Sequence, residues 1–157
     1  MPGDNPPMPV IESQPASSAR QVYRRIALKL GVRPLKSDLD LLRLVEKRLP
    51  VNSLVTLSSH GVTDEEIYSC ISPRRTLAHR RTRNEPLTHD ESDRAVRLAR
   101  IASLAEEVFA DDAKAGRWLR KPKQRFQGRT PLDLLQTEAG ARIVEDLLLQ
   151  LEFGYTA

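Results

Sequence analysis

Five arginines and no acid fall within thirteen residues, SPRRTLAHRRTRN, at positions 72–84. Guanidinium groups clustered this way suit a polyanion: one can bond both O6 and N7 of a guanine, while others neutralise phosphates. Arg74, Arg75, Thr76, His79, Arg80, Arg81 and Arg83 are therefore the candidate DNA-contacting residues. The alternative is a solvated basic face, and only position along the chain separates the two. Other chemistry finds less material. His60, His79 and His89 are too scattered for two to share a helix turn, and the single Cys70 supplies no metal set. No histidine is placed to activate that thiol, which reads as a small buried apolar residue, and there is no glycine-rich phosphate loop. The acid pairs Asp111/Asp112 and Glu145/Asp146 look like a helix cap and a solvated face. The sequence points away from an enzyme, a bound metal and a cofactor.

The elements that must hold the arginines are helices. Val22, Ile26 and Leu30 are spaced four apart, and Gly31 stops that helix. Ser37 is the expected N-cap of a second, burying Leu41, Leu42, Val45 and Leu49, and Asn52 or Ser53 caps a short third. Thr63 and Glu66 form a capping box, with Val62 and Ile67 at the positions of a hydrophobic staple. Ser72-Pro73 then opens another helix at once, with Ser72 as N-cap. Two short helices joined by a tight turn have the layout of a helix-turn-helix, whose second helix enters the major groove. The arginine run occupies that second helix.

Thr88 and Glu91 make another capping box, opening the longest helix, and Asp111-Asp112 caps the next. Lys114, Arg117, Arg120, Lys121, Lys123, Arg125 and Arg129 follow, with no acid among them, as a second phosphate stripe or the rim of a protein interface. Thr137 caps the last helix, where Ile143, Val144, Leu147, Leu148 and Leu151 share one side and Gly154 ends it. No strand pattern of useful length occurs, so an all-α fold is expected. Charge divides along the chain. Residues 1–129 carry 24 Lys/Arg against 16 Asp/Glu, and the remainder carries one against five. A basic body and an acidic, leucine-rich end suggest two binding surfaces. Five of the eleven prolines lie in the first fifteen residues, marking a mobile leader. There is no apolar run of membrane-spanning length, no secretory signal and only one cysteine, so a cytoplasmic protein without membrane association is expected.

The segment GRTPLDLLQTEAGARIVEDLLLQLEFG resembles the C-terminal toxin-binding domain of the Xre/MbcA/ParS antitoxins. The likeness rests on Gly128, Thr130, Pro131, Leu132, Leu134, Leu135, Thr137, Gly140, Val144, Leu147, Leu148 and Gly154, preceded by Ala115, Trp118 and Leu119. Ser72, Arg75, Thr76, Leu77, Arg80 and Arg81 are similar to the family's Xre-type helix-turn-helix, so the resemblance spans about residues 52–157. It implies an N-terminal Xre-like helix-turn-helix region followed by a small helical toxin-binding domain. The expected divisions are a leader over 1–17, the DNA-binding region over 18–87, a connecting or dimerisation helix over 88–112, and the toxin-binding unit over 113–157. It further implies an antitoxin of a type II pair that blocks a RES-domain, NAD⁺-depleting toxin and, as a homodimer, represses its own operon at operator double-stranded DNA. Trp118, Leu119, Leu132, Leu135, Gly140, Leu148, Leu149, Glu152, Phe153, Tyr155 and Ala157 are then the candidate toxin-facing residues. A stand-alone helix-turn-helix regulator whose last helix only dimerises, and an adaptor that binds protein alone, remain as other readings.

Overall fold

The computed structural model describes residues 17–154, all helix and connecting loop, with no strand among them. The proline-rich leader and Tyr155–Ala157 lie outside the described residues. In chain order the helices are α1 (Ser17–Leu30), α2 (Asp38–Lys47), α3 (Ser53–Ser59), α4 (Asp64–Cys70) and α5 (Arg74–Arg83). Then come α6 (His89–Phe109), α7 (Asp112–Arg120), a 3-10 turn (Gln124–Phe126), α8 (Pro131–Leu134) and α9 (Glu138–Glu152).

Helix starts follow the cap chemistry. Thr63, Thr88 and Thr130 each head a reciprocal capping box, with Pro131 in the first turn of α8. Ser37, Asp111 and Thr137 each accept one amide of the following turn. Two expected caps are corrected. Asn52 is already helical and makes no side-chain cap, and Pro73, not Ser72, stands at the N-cap of α5. Ser72 Oγ instead donates to Glu91 Oε1 at 3.0 Å, a hydrogen bond to a buried, charged acceptor.

The 21-residue α6 is the axis of the molecule, about 30 Å long by its rise per residue. Helices α1, α2, α7 and α9 all pack on it. Ala95, Leu98, Ala99, Ile101 and Ala105 are fully or almost fully buried. The apolar residues of α6 are covered on several sides by the chain's own helices. The first fifty residues belong to the same core. Ile26 and Leu30 are completely buried, and the buried Lys29 Nζ sits 2.7 Å from Glu106 Oε1 of α6. Arg25 adds contacts to Glu106, Glu107 and Asp112 at 3.2–3.4 Å, tying α1 to the end of α6 and the start of α7. On α2, Leu41 is buried and Val45 partly so, but Leu42 is 50% exposed, since that helix shows α6 a narrower face than its leucines suggest.

Candidate functional site

Helices α4 and α5 are separated by only three residues, Ile71, Ser72 and Pro73. Ile67, Ile71 and Leu77 seal the pair from inside, each at most 1% exposed. Most of the polar residues of α5 are left facing outward. Arg74, Arg75, His79, Arg81 and Arg83 are exposed, and Thr76 is partly buried. Among the described residues no acid lies within ion-pair distance of Arg74, Arg75 or Arg81, while Arg83 reaches Glu85 only at 3.9 Å. Three cations without counter-charge on the first and second turns of an exposed helix form a surface suited to a polyanion.

Arg80 does not belong to that surface. Its Nε lies 2.8 Å from Glu91 Oε2, and Nη1 is 3.6 Å from Glu85. The N–H is not well aimed at the Glu91 oxygen, so the contact works as paired charge more than as a directed hydrogen bond. Arg80 thus anchors α5 to α6, and it is removed from the DNA-facing set. Sequence spacing hid this, because Glu91 is eleven positions away and on another helix.

Glu91 is the junction. Oε2 also accepts the Thr88 amide at 2.9 Å, closing the α6 capping box, and Oε1 accepts the Ser72 hydroxyl. Burial pushes this carboxyl up, but the Thr88 amide, Arg80 and Ser72 outweigh it, and the net shift is below the usual glutamate range. One carboxylate therefore fixes the α4–α5 turn, the middle of α5 and the start of α6.

The remaining polar candidates for chemistry stay apart. His60 Nδ1 lies 2.8 Å from the Thr56 carbonyl and His89 Nε2 lies 3.1 Å from the Glu46 carbonyl. Burial pushes the Cys70 thiol up, and its Sγ donates to the Leu132 carbonyl at 3.8 Å, so it is a poor nucleophile. Among the described residues no group of three His, Cys, Asp or Glu is placed to hold a metal ion.

At the other end of the chain the candidate partner surface divides. Leu119, Leu135, Gly140 and Leu148 are buried in the core and are corrected from contact residues to packing residues. Gly140 is there because α9 runs hard against the Leu134 carbonyl group, where any β-carbon would overlap it. Trp118 and Leu132 are partly buried; the Trp118 ring tilts against Phe109 at 5.6 Å and carries Lys123 Nζ 4.5 Å above it. Leu149 is partly buried, while Glu152 and Phe153 are exposed, Phe153 by 69%. Tyr155 and Ala157 lie outside the described residues. Two residues expected inside are outside: Ile143 is 52% exposed and Leu151 38%. The true buried stripe of α9 is Gly140, Ala141, Val144, Leu147 and Leu148. Its two small residues mark the closest approach and were the available signal. Phe153 and Leu149 flank an apolar groove of about 230 Å³ with Val22, Tyr23 and Ile26 of α1 and Leu104 of α6. Ser18 Oγ donates to Glu152 Oε1 at 2.7 Å across its rim. Burial and a hydrogen bond to Asp38 push the Tyr23 hydroxyl up to about 12, so this wall stays uncharged.

The cationic face of α5 stands by the N-terminal end of α6, whereas the apolar end of α9 reaches Leu104 near its other end. Among the described residues no helix is long and apolar enough to cross a membrane. Comparison with known proteins matches the same two regions. Residues 40–100 match the family described as the antitoxin Xre-like helix-turn-helix domain. Residues 104–154 match the antitoxin Xre/MbcA/ParS C-terminal toxin-binding domain. The chain is 42% identical to a Pseudomonas putida protein named Antitoxin Xre over 134 residues, 85% of this chain and 84% of that one. It is 40% identical to a Yersinia enterocolitica protein of the same name, over 52% of this chain and 56% of the relative. A Sphingobium protein named Prs ADP-ribosylating antitoxin is 27% identical over 50% of this chain and 55% of its own.

Proposed function

Because the chain belongs to the Xre antitoxin family, we propose that it is the antitoxin of a type II pair, holding a RES-domain, NAD⁺-depleting toxin with its C-terminal unit. It represses its own operon through α5, as a homodimer in the cytoplasm, and has no catalytic activity itself. Residues 18–87 supply the DNA-binding region and 113–157 the toxin-facing unit. The observation that carries the reading is the segregation just described: uncompensated arginines at one end of a buried strut, exposed apolar side chains at the other. The name of the Sphingobium relative supports an NAD⁺-linked partner, since ADP-ribosylation draws on NAD⁺.

Co-expression with the adjacent toxin gene should restore growth, and the two products should purify together. Failure of both would overturn the assignment. Within that assignment Phe153→Ser is expected to weaken toxin retention by tenfold or more, the scale of an exposed aromatic anchor at about 2 kcal/mol, with unfolding unchanged. A pull-down titration checks it. On the DNA side, Arg75→Ala should lower operator affinity by about 5- to 150-fold, as for a lost bidentate base contact worth about 1–3 kcal/mol. A gel shift with operator and shuffled duplexes reads it; equal loss on both would assign Arg75 to phosphate instead.

A further inference from the structure

The segment Lys114–Arg129 holds seven cations and no acid, a pattern that fits either a second phosphate stripe or the rim of a protein interface. Only Arg120 has an ion-pair partner among the described residues. Lys114, Arg117, Lys121, Arg125 and Arg129 are exposed. Burial and the neighbouring Lys121 push the Lys123 amine down, as happens where cations crowd without counter-charge.

Its place in the fold is set by two fasteners on α4. At the first turn of α4, Arg120 Nε lies 2.6 Å from Glu66 Oε1, and Nη2 donates to the Gly61 carbonyl at 2.8 Å. At the last turn, Cys70 donates to the carbonyl of Leu132, three residues beyond Arg129. The cationic loop is therefore laid alongside the first helix of the helix-turn-helix, its Arg129 end beside the turn that leads into Arg74. Of the acids close to it, Glu66 is paired with Arg120 and accepts the Thr63 amide, and Asp133 accepts the Thr130 amide.

We infer that this loop is a second phosphate-contacting surface, continuous with α5, so that duplex DNA is gripped by the toxin-binding unit as well as by the helix-turn-helix. The inference rests on the DNA-binding reading above. A protein partner fits the loop less well, because its large apolar groups are engaged internally. Phe126 and Leu119 are buried, and Trp118 lies between Phe109 and Lys123. The exposed apolar end of α9 is on the other flank of α1. There Val22 and Ile26 line its groove, while Arg25, Leu28 and Lys29 line the one shared with Arg117 and Lys121.

The test is fluorescence anisotropy of the full-length protein on a duplex from its own upstream region and on a shuffled duplex, between about 50 and 200 mM salt. The triple variant Lys121→Gln/Arg125→Gln/Arg129→Gln should bind both duplexes on the order of 10–100-fold more weakly, with the log–log salt slope reduced by about 2.7, or about 0.9 per phosphate contact. Arg129 Nε also bonds the Phe126 carbonyl, so the double variant Lys121→Gln/Arg125→Gln, with an expected slope change of about 1.8, guards against a folding effect. An unchanged slope in both variants, with Arg74→Gln/Arg75→Gln losing operator binding, overturns the inference and leaves the DNA-binding reading standing. Retained DNA binding with lost toxin retention assigns the loop to the toxin and equally overturns it. Failure of the wild type to bind either duplex removes the DNA-binding reading itself, and the inference with it.

Discussion

Gly140→Ala is expected to destabilise the protein by about 3 kcal/mol or more, although the same change in an exposed helix interior would stabilise it by about 1 kcal/mol. The reversal comes from the neighbour. A β-carbon at Gly140 would overlap the Leu134 carbonyl oxygen and stand 2.9 Å from its carbonyl carbon. Backbone cannot rotate away as a side chain can. Helix α9 would have to back off α8, opening gaps around Leu134, Ala141 and Val144, now all buried. Urea unfolding should show the midpoint falling sharply, and a wild-type midpoint would refute the packing account. Toxin retention should fall further than operator binding, since α5 is fastened to α6 and not to α9.

Glu91→Ala is expected to cost about 2–4 kcal/mol, the range for removing one member of a buried ion pair, reduced because Glu85 remains near Arg80. Glu91→Gln keeps the shape and the acceptor for the Thr88 amide while losing the charge, so it should fall between. The acid response separates these variants. The native Glu91 carboxyl titrates below its unfolded value of about 4.3. Its contribution is therefore complete above that value and disappears as pH falls through the lower native one. Wild type should lose stability over that interval more steeply than Glu91→Gln, by thermal melts at stepped pH. Parallel pH curves would show that the carboxylate does not act through its charge. Both variants should also weaken operator binding, because the α4–α5 turn and Arg80 lose their common anchor.

Local chemistry was the legible part. Capping boxes at Thr63 and Thr88 announced two helix starts within four residues of sequence, and both are formed. The all-α fold, the helix-turn-helix and the family follow from such short-range text. What stayed hidden depends on which helix covers which. Ser72 and Arg80 looked like a cap and a free cation until Glu91, from another helix, claimed both. Leu148 and Ile143 are both apolar residues of one helix, yet one is buried and the other half exposed, because α6 and α8 meet only one side of α9. Periodicity states that a face exists but not how wide its cover is. Likewise Leu151 keeps phase with Val144 and Leu148 but belongs to a last turn that outlasts its cover.

The length of α6 has one more consequence. Interiors packed this closely have low compressibility, so a 21-residue rod buried in them is a stiff spacer. From Glu91, where α5 is fastened, to Leu104, in the apolar groove, that rod runs about 20 Å, so the two surfaces are held apart at a set spacing. On the functional reading proposed above, a toxin tunes its promoter by bookkeeping of valency: complexes that bring more DNA-binding heads together gain effective concentration, and those that separate them lose it.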